Sequence, residues 1–275
     1  MCQYNSVCDP NLTFMPCIPL LQIRNTSLFK NLRLIATDMD GTLTQRGKLT
    51  STLMQSLEQL AEVGIPVLVI TGRSAGWASS LAAYLPIAGA IAENGALFYG
   101  CDRDSAQFLT PVPDPIQHRQ QLSQMFATLK TQFPHITPTA DNAFRLVDWT
   151  FENRDLSPDD LQRLNRLCQE GGWGFTYSSI HCHIKPLQQD KATGLRQVLR
   201  SHFPHCTPNQ VLAIGDSPND ESLFDPSHFQ HSVGVANILD YADYLTHPPT
   251  YITTAVEGEG FCELAQLILS NCPRN

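Results

Sequence analysis

The largely apolar run Leu32-Arg33-Leu34-Ile35-Ala36-Thr37 leads without a break into Asp38-Met39-Asp40-Gly41-Thr42-Leu43-Thr44. A short apolar run closed by a glycine turn reads as a buried strand. Asp38 and Asp40 therefore fall where a core strand ends. Buried carboxylates repel one another and are costly unless they are paired or bound to metal. Two of them at the mouth of a central strand point to a bound cation. Gly41 lets the backbone turn sharply, and Thr42 and Thr44 add hydroxyls.

The same grammar recurs downstream. Leu53, Leu57, Leu60 and Ala61 share one helical face, and Gly64 and Pro66 end that helix. Val67 to Ile70 reads as a second buried strand, running into Thr71-Gly72-Arg73-Ser74 and a helix through about Leu85. A strand, a tight glycine turn and a helix start bring backbone N–H groups to a place where they can meet an anion. Ile87 to Ala92 reads as a third strand. It is closed by Glu93-Asn94-Gly95, a hairpin signal returning through Ala96 to Tyr99.

The alternation breaks at Pro111-Val112-Pro113-Asp114-Pro115, which reads as a hinge. Residues 112–185 follow a different pattern. Leu122, Met125, Phe126, Leu129 and Phe133 have helical spacing, and Phe144 to Phe151 reads as a strand. Ser157-Pro158 opens a second helix, and Phe175 to Ser178 with His181 to Lys185 reads as a hairpin. This is an α+β module with a small antiparallel sheet. Trp149 and Trp173 belong to its core. Alternation along the strand puts His181 and His183 on one face and Cys182 on the other.

From residue 186 the first pattern resumes. A helix begins at Asp190-Lys191, Val211 to Ile214 is a buried strand entering Gly215-Asp216-Ser217-Pro218-Asn219-Asp220, and Ser232 to Val235 is another strand. Phe261, Leu264, Ala265, Ile268 and Leu269 mark the last helix. The expected fold is α/β: a doubly wound parallel-sheet core of residues 31–111 and 186–275, interrupted by the module at 112–185. Its functional loops lie at the carboxyl ends of the strands.

A chain of 275 residues is long enough for a large core, and its 16% charged content is that of an ordinary globular protein. A net charge of −8 argues against nucleic acid or an anionic membrane as partner. Nine cysteines, an odd number without a C-x-x-C pair, argue against a complete disulfide framework and a zinc ribbon. They read as reduced thiols of a cytoplasmic protein. Neither an 18-residue apolar run nor a secretory leader pattern is visible. Residues 1–30, with three prolines and no period, read as a loosely ordered N-terminal extension.

Four signals thus stand in order: Asp38 with Asp40, Thr71, Lys191, and Asp216 with Asp220. In this order and spacing the chain resembles the haloacid dehalogenase superfamily. The first stretch matches its D-x-D-G-T-[LV] pattern, and Gly-Asp-Ser-Pro-Asn-Asp its G-D-x-x-N-D form. Asp190 to Leu195, Glu93-Asn94-Gly95 and the segment from Tyr251 to Phe261 resemble its Cof-type, sugar-phosphatase branch, with the module as an inserted α+β cap. The resemblance implies a Mg²⁺-dependent hydrolase of small phosphomonoesters, sugar phosphates or related metabolites. It makes Asp38 the nucleophile that forms an aspartyl-phosphate, and Asp40 the general acid and then base. Thr71 and Gly72 would hold phosphate oxygens, with Lys191 as the fixed cation. Asp38, Asp40 through its carbonyl, and Asp216 would bind the metal, with Asp220 holding a metal-bound water or orienting Asp216.

Arg73 and Asn94 near the core loops, and Arg145, Asp148, His181, His183 and Lys185 on the module, are candidates for contacting substrate or closing the cap. Two other readings use the same residues. A sugar phosphomutase would return the phosphoryl group to bound substrate. A non-enzymatic metabolite sensor would bind without turnover. The core motifs do not encode the substrate or the oligomeric state.

Overall fold

The computed structural model describes residues 17–23, 26–101 and 106–271. In chain order the core begins with β1 (Ile18–Pro19), α1 (Thr26–Asn31), β2 (Leu34–Thr37), α2 (Ser51–Glu62), β3 (Val67–Ile70), α3 (Ala75–Tyr84), β4 (Gly89–Ala92), β5 (Leu97–Gly100) and β6 (Gln107–Phe108). The inserted module contains α4 (Pro115–Gln132), β7 (Trp149–Glu152), α5 (Pro158–Glu170), β8 (Gly174–Tyr177) and β9 (His181–Lys185). The core resumes with α6 (Lys191–His202), β10 (Val211–Gly215), α7 (Glu221–Phe224), β11 (His231–Gly234), β12 (Tyr251–Ile252) and α8 (Glu257–Asn271).

One nine-stranded sheet has the order β1-β12-β11-β10-β2-β3-β4-β5-β6. Pairing is parallel from β1 to β4, and β5 and β6 add an antiparallel edge. Every side chain of β2, β3, β4 and β10 is buried, as expected of continuous apolar strands covered on both faces. Alternate residues divide between two cores. Ile35, Val67, Val69, Ala90, Leu212 and Ile214 pack with Leu53, Leu57, Leu60 of α2 and Leu264, Ile268 of α8. Leu34, Ala36, Leu68, Ile70, Val211 and Ala213 pack with Leu195, Val198 and Leu199 of α6 and Leu223 and Phe224 of α7. The chain runs from β2 outward through β3 and β4, then returns at β10 on the other side of β2. The boundary between β2 and β10 is therefore the topological switch point, where a crevice opens at the carboxyl ends of the strands.

The cap sheet has the order β7-β9-β8, all antiparallel. Phe151, Cys182 and Ile184 face Leu122, Met125, Phe126 and Leu129 of α4 and Leu164 and Cys168 of α5. Trp149 and Trp173 pack against the same cluster.

Two expectations are corrected. Residues 144–148 are not strand; β7 begins at Trp149. The backbone N–H groups of Leu146, Val147 and Asp148 donate instead to the Glu93 carboxylate, at 3.0, 2.7 and 3.0 Å, and are withdrawn from any ladder. The reading of residues 1–30 as a loosely ordered extension does not hold for their described part. Residues 1–16 and 24–25 lie outside the described residues. Within the rest, β1 pairs with β12, and Leu20, Leu28 and Phe29 are buried in the core. These side chains have no helical or strand period, and only the tertiary fold gives them a place.

Candidate active site

Asp38 follows directly on β2, and its N–H still donates to Ile214 O of β10 at 2.9 Å. The chain then turns tightly: Met39 O accepts from the N–H groups of Leu43 and Thr44 at 2.9 and 3.0 Å. Gly41 has φ +82, and a Cβ there would lie 2.5 Å from Asp216 Oδ2. Only glycine satisfies both the left-handed backbone and this approach. The turn grips Asp216 from two sides. Thr42 Oγ1 donates to its Oδ1 at 2.9 Å, and Asn237 Nδ2 donates to its Oδ2 and to Gly41 O, both at 3.1 Å.

Lys191 opens α6, whose first turn is capped by Asp190 accepting from Thr193 N–H at 2.7 Å. Its ammonium is fully buried, paired with Asp38 Oδ1 and, at 2.7 Å, with Asp220 Oδ1. The other Asp220 oxygen accepts from the N–H groups of Asp216 and Ser217 at 3.0 and 3.2 Å. Carboxylate oxygens of Asp38, Asp216 and Asp220 all lie within 4.8 Å of one another. Burial pushes the Asp38 carboxyl up to about 7, against the pull of Lys191. Burial, then the charges of Asp38 and Asp220, push Asp216 well above the usual carboxylate range. Burial works against the Lys191 charge, but Asp220 and Asp38 outweigh it and raise its proton affinity. Three buried carboxylates thus share one ammonium. The remaining negative charge and the all-oxygen donor set fit a hard divalent cation.

Opposite these groups lies the turn after β3. Thr71 is buried, and its Oγ1 accepts from Arg73 N–H at 3.0 Å. The Arg73 guanidinium grips Asp40 through two bonds of 2.7 Å and rests on the Trp77 ring, 5.2 Å from its centroid. Two cap groups close over Gly72. Arg145 Nη1 donates to Gly72 O at 2.9 Å, and a Cβ on Gly72 would lie 3.1 Å from His183 Cε1. Asp148 holds both, accepting from Arg145 at 2.8 Å and lying 2.8 Å from His183 Nδ1. Burial lowers the proton affinity of His183 more than Asp148 raises it. The neutral ring therefore turns Nδ1–H to Asp148 and leaves the Nε2 lone pair on the Gly72 side.

Asp38, Asp40, Gly72, Arg73, Ser178, Ile180, His181, His183 and Asn219 line one narrow cleft between core and cap. Asn94 is beside it: its Oδ1 accepts from Asn219 Nδ2 at 3.1 Å, and its own Nδ2 is buried without a hydrogen-bond partner among the described residues. Two candidates stand apart. Asp148 is fully buried behind Arg145 and His183 rather than in the cleft. Lys185 turns its ammonium to Gln189 O and lines a neighbouring hollow with Asp190 and Glu221. Asn219, Ser178 and Ile180 of the cleft, and Asn237 and Glu93 around it, are not among the sequence candidates. Asn219 lay inside a recognised loop, so its place was a usable signal. Glu93 stands in the Glu93-Asn94-Gly95 turn that the sequence marks, but its cap partners lie more than fifty residues on, and Asn237 acts only through contacts made far along the chain with nothing local to mark it.

Among the described residues, no helix is long and apolar enough to cross a membrane. The family model described as haloacid dehalogenase-like hydrolase matches residues 35–109 and 114–250. A phosphoglycolate phosphatase of Methanothrix thermoacetophila is 27% identical over 233 residues, covering 84% of this chain and 94% of that protein. A crystal structure from Thermoplasma acidophilum superposes with a TM-score of 0.69 at 20% identity, covering 86% of this chain and 98% of that one. The C-terminal domain of the C. albicans trehalose-6-phosphate phosphatase superposes with a TM-score of 0.67 at 15% identity, covering 94% and 98%. These two likenesses are of fold. The family match spans the switch-point loops and the cap alike, and the chain belongs to the haloacid dehalogenase-like hydrolases.

Proposed function

We propose that the chain hydrolyses small phosphomonoesters with Mg²⁺, through a phosphorylated Asp38. The observation that carries this reading is the pairing of buried Asp38 with Lys191 at the switch point, facing the Thr71-Gly72 turn. An Asp38 oxygen attacks phosphorus, the ester P–O bond breaks, and the leaving oxygen takes a proton from Asp40. Water, deprotonated by Asp40, then attacks the aspartyl-phosphate and frees Asp38 and inorganic phosphate. Lys191 and the Thr71-Gly72 turn offset the charge that spreads over the phosphoryl oxygens. Asp38 and Asp216 would hold the metal, which supplies Lewis-acid neutralisation of the phosphoryl group. Both Asp220 oxygens are engaged, which suits it to orienting Lys191 and the Asp216 loop. Arg73 occupies both Asp40 oxygens and has to release one before Asp40 can exchange a proton with the leaving group.

The narrow cleft favours a small leaving group. Phosphoglycolate, the substrate for which the Methanothrix thermoacetophila relative is named, heads the panel to be tested, followed by sugar phosphates. Release of inorganic phosphate is expected only with Mg²⁺, and Asp38→Asn should lower it at least about 10³-fold, since the attacking carboxylate oxygen is replaced by a far weaker amide nucleophile. Undiminished release by the variant, or acid-stable phosphate trapped on another residue, overturns the assignment. No release by the wild type across the panel directs the next assay to bisphosphate-dependent isomerisation.

A further inference from the structure

Glu93 is a carboxyl side chain with no exposure at all, pushed up to about 7 by burial, at the end of core strand β4, and the chemistry above does not use it. Its oxygens collect backbone donors from two elements. Oε2 accepts from Val147 N–H at 2.7 Å and Asp148 N–H at 3.0 Å. Oε1 accepts from Leu146 N–H at 3.0 Å and from Ala75 N–H, the first residue of α3, at 3.2 Å. Ser74, the residue before α3, makes no side-chain cap, so Glu93 stands in for one. The backbone of Glu93 joins the same junction. Its N–H donates to Arg73 O at 3.0 Å, and its carbonyl accepts from Gln189 Nε2 on the returning cap linker.

We infer that Glu93 is the latch that docks the cap on the core: by binding three successive cap N–H groups it positions Arg145 and the Asp148–His183 pair over the Gly72 turn. The three donors belong to the segment that continues directly from Arg145, whose guanidinium reaches Gly72 O. Asp148, the last of them, orients His183 against the same glycine. A carboxylate fits this place because it accepts at both oxygens and carries no donor that would oppose the four N–H groups. Glu93 touches neither the cleft nor the carboxylate cluster, so it is a positioning residue.

The test is hydrogen exchange of the full chain in the wild type and Glu93→Gln, with KM and kcat measured on the best phosphoester. Glutamine is nearly isosteric but offers one acceptor oxygen, and its NH₂ faces backbone donors. Exchange at Leu146–Asp148 is expected to quicken at least about tenfold, while amides of β2 and β10 keep their protection. KM should rise about tenfold with kcat changed less than about threefold, because closure is weakened while Asp38 and Lys191 stay in place. Leu146→Pro deletes one donor and leaves Glu93 intact. Arg145 already has the extended backbone (φ −97, ψ 143) that a following proline requires. It should raise KM in the same direction, and the double variant should fall short of the sum. Unchanged exchange at 146–148 in Glu93→Gln and at 147–148 in Leu146→Pro, which has no amide at 146, or additive effects, overturns the latch, and so does loss confined to kcat. If Glu93→Gln does not fold, Leu146→Pro alone decides. The inference uses the proposed phosphatase reading only for its kinetic arm. Exchange that responds as expected in a chain without turnover leaves the latch standing and removes the phosphatase reading instead.

Discussion

Asp148 has no exposure in the folded chain, yet stays ionised because of what surrounds it. Burial works against its charge, but Arg145 at 2.8 Å and the His183 N–H outweigh that penalty and hold the carboxyl down to about 2 from the ordinary 3.8. A carboxyl whose folded proton affinity is depressed contributes stability above its unfolded titration range. That contribution is lost as pH falls through the folded one. Here the window lies between about pH 4 and pH 2, and the contribution above it is about 2 kcal/mol. The urea midpoint of the wild type should therefore fall steeply across that window, and that of Asp148→Asn should fall less steeply. Equal slopes would mean that the pairing adds nothing to the folded state. His183 depends on the same bond, since Asp148 fixes which nitrogen carries the proton. The variant should accordingly also raise KM at neutral pH.

At the scale of elements, the site depends on how closely the turn after β4 meets the start of α6. Gly95 has φ +104, and a Cβ there would lie 2.1 Å from Asp190 O. A Cβ on Gly194 would lie 2.6 Å from Gly95 Cα and 2.7 Å from Gly95 O. Two glycines back to back thus let the helix start press on the turn, and this approach sets the height of Lys191 beside Asp38. Propensity alone favours alanine over glycine in a helix interior by about 1 kcal/mol. The contact reverses the sign, because the obstructing atoms are backbone and cannot rotate away. Gly194→Ala is expected to destabilise the chain by about 1–3 kcal/mol and to lower kcat by displacing Lys191. Thermal unfolding and turnover check both, and a variant more stable than the wild type would show that α6 has room to move. The Asn94-Gly95 pair reads in the sequence as a hairpin turn, and it is one. Its second task, receiving α6, involves a glycine about a hundred residues later and has no local signature.

Over the whole molecule, legibility followed the distance over which each feature is determined. β2, β3 and β10 are visible because strands buried on both faces are continuously apolar, and the carboxylates that follow them stand out against that background. The two-residue strands β1 and β12 are too short to carry any period. Residues 144–148 carry a strand-like composition, but a carboxylate more than fifty residues earlier takes their donors. The Asp40–Arg73 pair was likewise invisible as a pair, although both residues were singled out. The same long-range contacts hold the two parts together. Prolines at 111, 113 and 115 and the short return through Pro186 flank the cap. Polar contacts hold it closed: Arg145 to Gly72, Glu93 to residues 146–148, and Gln189 to Glu93. Such bonds contribute about 0.5–1.5 kcal/mol each, more where a charge takes part, which is little enough for thermal opening to admit substrate. Closed and open forms should then coexist without ligand, and a phosphate analogue that binds the closed form should draw the population to it. Small-angle scattering is expected to show a smaller radius of gyration when Mg²⁺ and orthovanadate are added to the wild type. Arg145→Ala, lacking the contact to Gly72, should start from a larger radius and contract less. Identical wild-type profiles with and without the analogue would mean that the cap does not swing, and that substrate enters through the narrow cleft by side-chain motion alone.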